Sequence, residues 1–203
     1  MNRLPIYLDY DNCLVNSTTV HLKWCNENIE HIHDSLRHLP AQMLRDYYGV
    51  HANDYWHTGK SYELIRPLHG AVSFFKKLNQ HFKVVIVTMN LPAHIHEEKQ
   101  AHAMRYFGIR SNQMVHVEPP FNKFLHTKDG VLVDDHAGLI QGHIQNTGMH
   151  GIVFNHDNKH GWAKQLPHIL CLHETNFNSL YQTICRLDRI YQNRRQQKTV
   201  NTK

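Results

Sequence analysis

Short apolar runs alternate with stretches of helical periodicity along the chain, and several of the runs end abruptly on polar residues. Residues 6–8 are apolar and pass directly into Asp9-Tyr10-Asp11. Over about residues 17–66 the pattern is helical and aromatic, with Trp24, Tyr47, Tyr48, Tyr55 and Trp56, and it is punctuated at Pro67 and Gly70. Residues 71–78 predict an amphipathic helix and 83–87 a buried strand. A helix over about 97–107 stops at Gly108, a common C-terminal residue for a helix. Residues 115–117 and 131–133 predict further strands, the second ending on Asp134 and Asp135. A helix over 137–146 and a strand over 151–154 follow. The last helix, 178–192, carries Leu180, Ile184, Leu187 and Ile190 at helical spacing. No internal repeat or low-complexity segment interrupts the series.

Strands alternating with helices predict an α/β fold, a parallel sheet wrapped by helices. Ligands of such sheets bind beyond the carboxyl ends of the strands. Three strands here end in polar residues: Asp9 and Asp11, Thr88 and Asn90, and Asp134 and Asp135. One site can gather all three.

Composition changes this picture little. The 203 residues are 41% hydrophobic and 19% charged, ordinary for a globular protein, and no apolar run is long enough to cross a bilayer. The acidic pair arrives before a signal-peptide apolar region could form. Cys13, Cys25, Cys171 and Cys185 lack CxxC spacing and read as reduced thiols, so the expected location is cytoplasmic. The formal charge of +5 favours anionic ligands, yet much of it sits in the last residues, which weakens any argument for nucleic acid. Twenty histidines are present, without partners at zinc-ligand spacing, and read as solvated or core residues.

The strand-end residues suit phosphoryl transfer. Asp9 would attack phosphorus and carry a phosphoaspartyl group. Asp11 would give a proton to the leaving oxygen and later take one from water. Carboxylates repel a phosphate dianion, so the scheme requires a cation. Magnesium suits the oxygen set of Asp9, the Asp11 carbonyl, and Asp134 or Asp135, with Asp134 slightly favoured as the direct ligand. Thr88 and Asn90 would bind phosphoryl oxygens, and a lysine would stabilise the transferring group.

In sequence, IYLDYDNCLV, VVIVTMN and GVLVDDH resemble the first, second and fourth motifs of the haloacid dehalogenase (HAD) superfamily. Lys123, in FNKFLHTKDGVLVDD, stands where that superfamily places its third-motif lysine. RPLHGAVSFFKKL, EKQAHAMRYFG and GMHGIVFNH are similar to segments of the 5′(3′)-deoxyribonucleotidases, and the resemblance spans roughly residues 4–160. It implies a HAD-like (Rossmannoid) core over 1–15 and 67–192, a small helical cap inserted over 16–66, and a basic flexible tail over 193–203. It further implies a magnesium-dependent phosphatase, nucleotidase-like, acting on a small phosphorylated substrate, with Lys99 as a second phosphate-binding lysine. A phosphatase of nucleic-acid ends and a catalytically silent binding module are the rival readings. The superfamily usually has Gly then Thr or Val after the second aspartate, where this chain has Asn12 and Cys13.

Overall fold

The computed structural model describes residues 3–32, 34, 35, 37, 44–89, 94–118, 120, 122–164 and 166–201, the side chains of 198–201 excepted. Six strands, β1 (Ile6–Leu8), β2 (Val84–Met89), β3 (Met114–Val117), β4 (Val131–Asp134), β5 (Gly151–Phe154) and β6 (Cys171–Glu174), form one parallel sheet in the order β3-β2-β1-β4-β5-β6. The helices are α1 (Ser17–Asn28), α2 (Leu44–Tyr48), α3 (Ala71–His81), α4 (His94–Phe107), α5 (Ala137–Thr147) and α6 (Phe177–Asn201).

Alternation along the strands sorts their side chains onto two faces. Ile6, Leu8, Val84, Ile86, Val131, Val133, Ile152 and Phe154 enter one core with Phe74, Phe75 and Leu78 of α3 and Leu180, Ile184 and Leu187 of α6. Tyr7, Val87, Leu132 and Val153 enter the other with Ile140 and Ile144 of α5. Gly130 opens β4 where there is no room for a side chain: a Cβ there would lie 2.3 Å from the Pro5 carbonyl oxygen and 2.7 Å from the Tyr7 ring.

The strands and helices predicted from periodicity are present, with two differences. Cys-Leu-His-Glu at 171–174 pairs with β5 as a sixth strand, which its mixed apolar and polar residues do not announce. The last helix runs to Asn201, since the Arg, Gln and Lys residues beyond 192 are good helix formers.

The order of the sheet reverses beside β1. From β1 the chain moves outward through β2 and β3, then returns to the other side for β4 to β6. That reversal makes a crevice at the carboxyl ends of β1 and β4, the place where such sheets bind ligands. Asp9 and Asp134-Asp135 are there. The insertion between β1 and α3 leaves and re-enters the core at one point: Val15 bridges to Pro67, Asn16 N donates to the Arg66 carbonyl at 3.0 Å, and Arg66 N donates to Asn16 Oδ1 at 2.7 Å.

Candidate active site

Asp9 follows β1 directly, and its backbone N–H still donates to Val133 O at 2.9 Å, which fixes it against the end of β4. The chain then turns tightly. Leu14 N donates to Tyr10 O at 2.9 Å, and Asn12 takes a left-handed conformation with φ of 58°. Asparagine tolerates that region better than most residues, because its short amide bonds locally. Here the amide does so on both sides. Asn12 Oδ1 accepts from Thr18 N at 3.1 Å, while Nδ2 donates to Thr18 Oγ1 at 2.8 Å and to Asp135 Oδ2 at 3.1 Å.

Lys123 lies at the centre, 1% exposed, and its ammonium donates to Asp9 Oδ1 at 2.7 Å and Asp134 Oδ2 at 2.6 Å. The two carboxylates outweigh its burial and hold its pKa above the usual lysine value. Asp134 Oδ1 accepts from His136 N at 2.8 Å, so both Asp134 oxygens are engaged within the protein. Asp135 differs. Trp162 Nε1, at 2.9 Å, and Asn12 both donate to its Oδ2, and no hydrogen bond reaches Oδ1 among the described residues. Burial, followed by the charges of Asp134 and Asp9, pushes the Asp135 carboxyl well up. Burial also raises Asp9, to about 7, with Asp134 and Asp11 adding to the shift and Lys123 opposing it.

Asp11 faces a different environment. Lys99 Nζ pairs with its Oδ2 at 2.7 Å and the Tyr62 hydroxyl donates to its Oδ1 at 2.8 Å. Burial alone would raise this carboxyl, but Lys99, Tyr62 and Ser17 outweigh it and hold Asp11 below the usual carboxylate range. The same Lys99 ammonium donates to Thr88 Oγ1 at 2.9 Å and to Met89 O at 2.8 Å, so its three protons all have protein acceptors. A cavity of about 350 Å³, lined by Met89, Asn122, Lys123, His136 and Leu139 among others, opens beside Lys123.

No protein-family model and no curated protein matches the chain. Solved structures do. A predicted phosphatase from Clostridium acetobutylicum superposes with a TM-score of 0.59 at 13% identity, over 92% of this chain and 100% of that one. A haloacid dehalogenase-like hydrolase from Streptococcus pneumoniae gives 0.61 at 9% identity, over 89% and 98%. A HAD hydrolase from Bacillus subtilis, bound to magnesium, gives 0.56 at 14%, over 91% and 99%. The fold is HAD-like.

In this HAD-like fold Lys123 joins Asp9 and Asp134, Lys99 joins Asp11 and Thr88, and Asp135, held by Asn12 and Trp162, lies beside Asp9. Asn90 lies outside the described residues. Lys99, expected to bind phosphate, instead grips Asp11 and Thr88. The donor set fits a divalent cation. Two carboxylates, Asp9 and Asp134, pair with one buried ammonium, Asp135 lies beside Asp9, and Asp9 Oδ2 and Asp135 Oδ1 accept no hydrogen bond among the described residues. Asp135, with an oxygen to spare, suits direct ligation better than Asp134.

Three members of the site escaped sequence reasoning. Tyr62 arrives from the insertion and Trp162 from the loop after β5, and neither sits in a pattern that marks it. Asn12 did leave a signal, as a residue with a side chain where the superfamily has glycine. Among the described residues no helix is long and apolar enough to cross a membrane.

Proposed function

We propose that the chain is a magnesium-dependent phosphomonoester hydrolase acting through a phosphoaspartyl intermediate on Asp9. The observation that carries this reading is the buried Lys123, bonded to Asp9 and Asp134 at once, with a carboxylate oxygen of Asp9 left free beside Asp135. A carboxylate so held is oriented for nucleophilic attack, and its neighbours can receive a phosphoryl group only with added positive charge.

Asp9 attacks phosphorus as the ester bond to the leaving oxygen breaks, and Asp11 supplies the proton that oxygen requires. Water then attacks the phosphoaspartyl phosphorus, Asp11 takes its proton, and inorganic phosphate leaves with Asp9 restored. Lys99 and Tyr62 favour the ionised Asp11 that the second step needs, so the first step requires Asp11 to take up a proton from solvent as the phosphate ester binds. Thr88 lies at hydrogen-bonding distance of Lys99 and contributes a hydroxyl to the phosphoryl oxygens. Lys123 has one ammonium proton beyond its two carboxylate bonds to offer the transferring group. Asp9, the Asp11 carbonyl and Asp135 would hold a magnesium ion, which would supply charge neutralisation and alignment.

Nucleoside monophosphates are the substrate class this reading favours, on the resemblance to deoxyribonucleotidases and on the half-buried Trp24 and Trp56 of the insertion. Tyr48 and Tyr55 are buried, their hydroxyls bonded to Asn26 and Ser61 O, and serve packing.

The test is phosphate release from a panel of phosphomonoesters, including deoxynucleoside 5′- and 3′-monophosphates, with magnesium and with EDTA. Release is expected only with magnesium, and Asp9→Asn is expected to lower it by roughly four or more orders of magnitude without unfolding the chain. A folded sample inactive on every ester, or a D9N variant of near-normal rate, overturns the proposal. Activity without nucleotide preference overturns the substrate class alone.

A further inference from the structure

On the proposed function this cleft is a cation site, and one potential ligand in it is not an oxygen. Cys13 Sγ and one carboxylate oxygen each from Asp9 and Asp135 lie within 4.8 Å of one another. The Cys13 side chain is fully buried, and its thiol makes no hydrogen bond among the described residues. It is aimed there by the turn of residues 10–15, in which Asp11 bridges to Val15 and Asn12 adopts its left-handed backbone. A fully buried polar group is normally paired. Here two carboxylates, each with an oxygen to spare, lie within 4.8 Å of the thiol.

We propose that Cys13 makes this cleft a mixed oxygen and sulfur site for a borderline-soft divalent cation, zinc above all, which competes with magnesium for Asp9 and Asp135. Zinc accepts thiolate and carboxylate together, in four-coordinate sites with Zn–S near 2.3 Å and Zn–O near 2.0–2.2 Å. Three protein ligands leave one position for water or a phosphate oxygen. Magnesium requires near-octahedral oxygen and gains nothing from sulfur. Threonine or valine, which the superfamily usually has at this position, offers no soft donor. Asn12 and Trp162 reinforce the arrangement, since both occupy Asp135 Oδ2 and leave Oδ1 to the cation. On binding, the S–metal bond forms as the thiol proton passes to solvent. Zinc occupancy then excludes magnesium from the oxygens it needs, and intracellular zinc acts as a brake on the magnesium-loaded form.

The test uses the full chain stripped with chelator and titrated with cadmium, whose bond to thiolate gives an ultraviolet charge-transfer band. Zinc and magnesium then compete against that band. The wild type is expected to show the band, and Cys13→Ser to lose it. Zinc affinity should fall in C13S by at least the roughly 10–100-fold that loss of a supporting group costs a metal site. Magnesium affinity, followed by calorimetry, should change far less. Cys13→Ala serves equally if C13S fails to fold, as circular dichroism reveals. Absence of the band in the wild type, or a band of equal strength in the variants from Cys25, Cys171 or Cys185, overturns the inference. The two proposals fail separately. A protein that shows the band yet hydrolyses no ester refutes the phosphatase reading alone, and one that hydrolyses esters with magnesium but shows no band refutes only the zinc site.

Discussion

His143 on α5 is fully buried, and its environment makes a quantitative demand on pH. Thr127 Oγ1 donates to Lys123 O at 3.2 Å, so it must accept from the imidazole Nδ1, 2.8 Å away. The ring is then neutral with its proton on Nδ1, while Nε2 is buried without a hydrogen-bond partner. Protonating Nε2 would bury a charge, and burial lowers the pKa from 6.5 to about 4, against a weaker opposite pull from the backbone of His150 and Gly130. A histidine depressed in the folded state contributes fully above its unfolded pKa. That contribution is lost as pH falls through 6.5, because only the unfolded chain takes up the proton, and the loss ends near 4. Between about pH 7.5 and about 5.5 the linkage amounts to roughly 1.3 kcal/mol. Asp9 and Asp135, raised in the folded state, act in the opposite sense, so the wild type alone cannot isolate the term. A difference can. His143→Asn keeps an N–H for Thr127 and removes the titration, and urea unfolding of both proteins at the two pH values gives the stability gap between them. The gap should shift by roughly 1.3 kcal/mol against the wild type on acidification. A gap that stays constant within about 0.3 kcal/mol, the usual scatter of such comparisons, refutes the account of His143 as a neutral buried imidazole.

Three further substitutions probe the site itself. Lys123→Met leaves Asp9 and Asp134 without their common partner and should cost about 3–5 kcal/mol in chelator, partly restored by magnesium; equal melting of variant and wild type in chelator would contradict the charge balance described. Tyr62→Phe removes a hydrogen bond to the ionised Asp11 and should lower stability by about 1.5–3 kcal/mol, measured by denaturant unfolding, while a neutral result would mean that the cap hydroxyl does not reach the carboxylate. Asn12→Gly relieves a left-handed backbone but removes one of the two donors to Asp135 Oδ2, leaving Trp162, so magnesium affinity by calorimetry should fall roughly 10–100-fold, and unchanged affinity would remove Asn12 from the positioning of that carboxylate.

What the sequence announced, it announced through contrast. Apolar runs such as Ile6–Leu8 and Val131–Val133 stop on carboxylates, and a parallel sheet turns those stops into neighbours at one edge. Thr88 follows from the same logic, whereas Lys123, in a turn between β3 and β4, was located only through the resemblance to a family motif. β6 was illegible because Cys171-Leu172-His173-Glu174 has neither a continuous apolar run nor a clean alternation, being half-buried after its first residue. The contacts of Lys99 were illegible for a tertiary reason. Its place on α4 is visible in the sequence, but the identity of its acceptors depends on how α4 packs against β2 and on the approach of Asp11. Tyr62 and Trp162 reach the site across 51 and 27 residues of chain, through hydrogen bonds that no local pattern encodes.

Those long-range contacts make the insertion part of the site's electrostatics. It joins the core where Asn16 meets Arg66, and on either side of that junction it sends one group back to a carboxylate or its support: Tyr62 to Asp11, and Thr18 to Asn12, which in turn holds Asp135. Displacement of the insertion about 16 and 66 would therefore release both aspartates together. Asp11 would lose Tyr62 and Ser17, two of the three groups that favour its ionised form, and Asp135 would keep only Trp162 of its two donors. Lys123, bonded only to groups of the core, would hold Asp9 and Asp134 unchanged. Asp9 is thus fixed by the core alone, whereas the surroundings of Asp11 and Asp135 depend in part on the insertion.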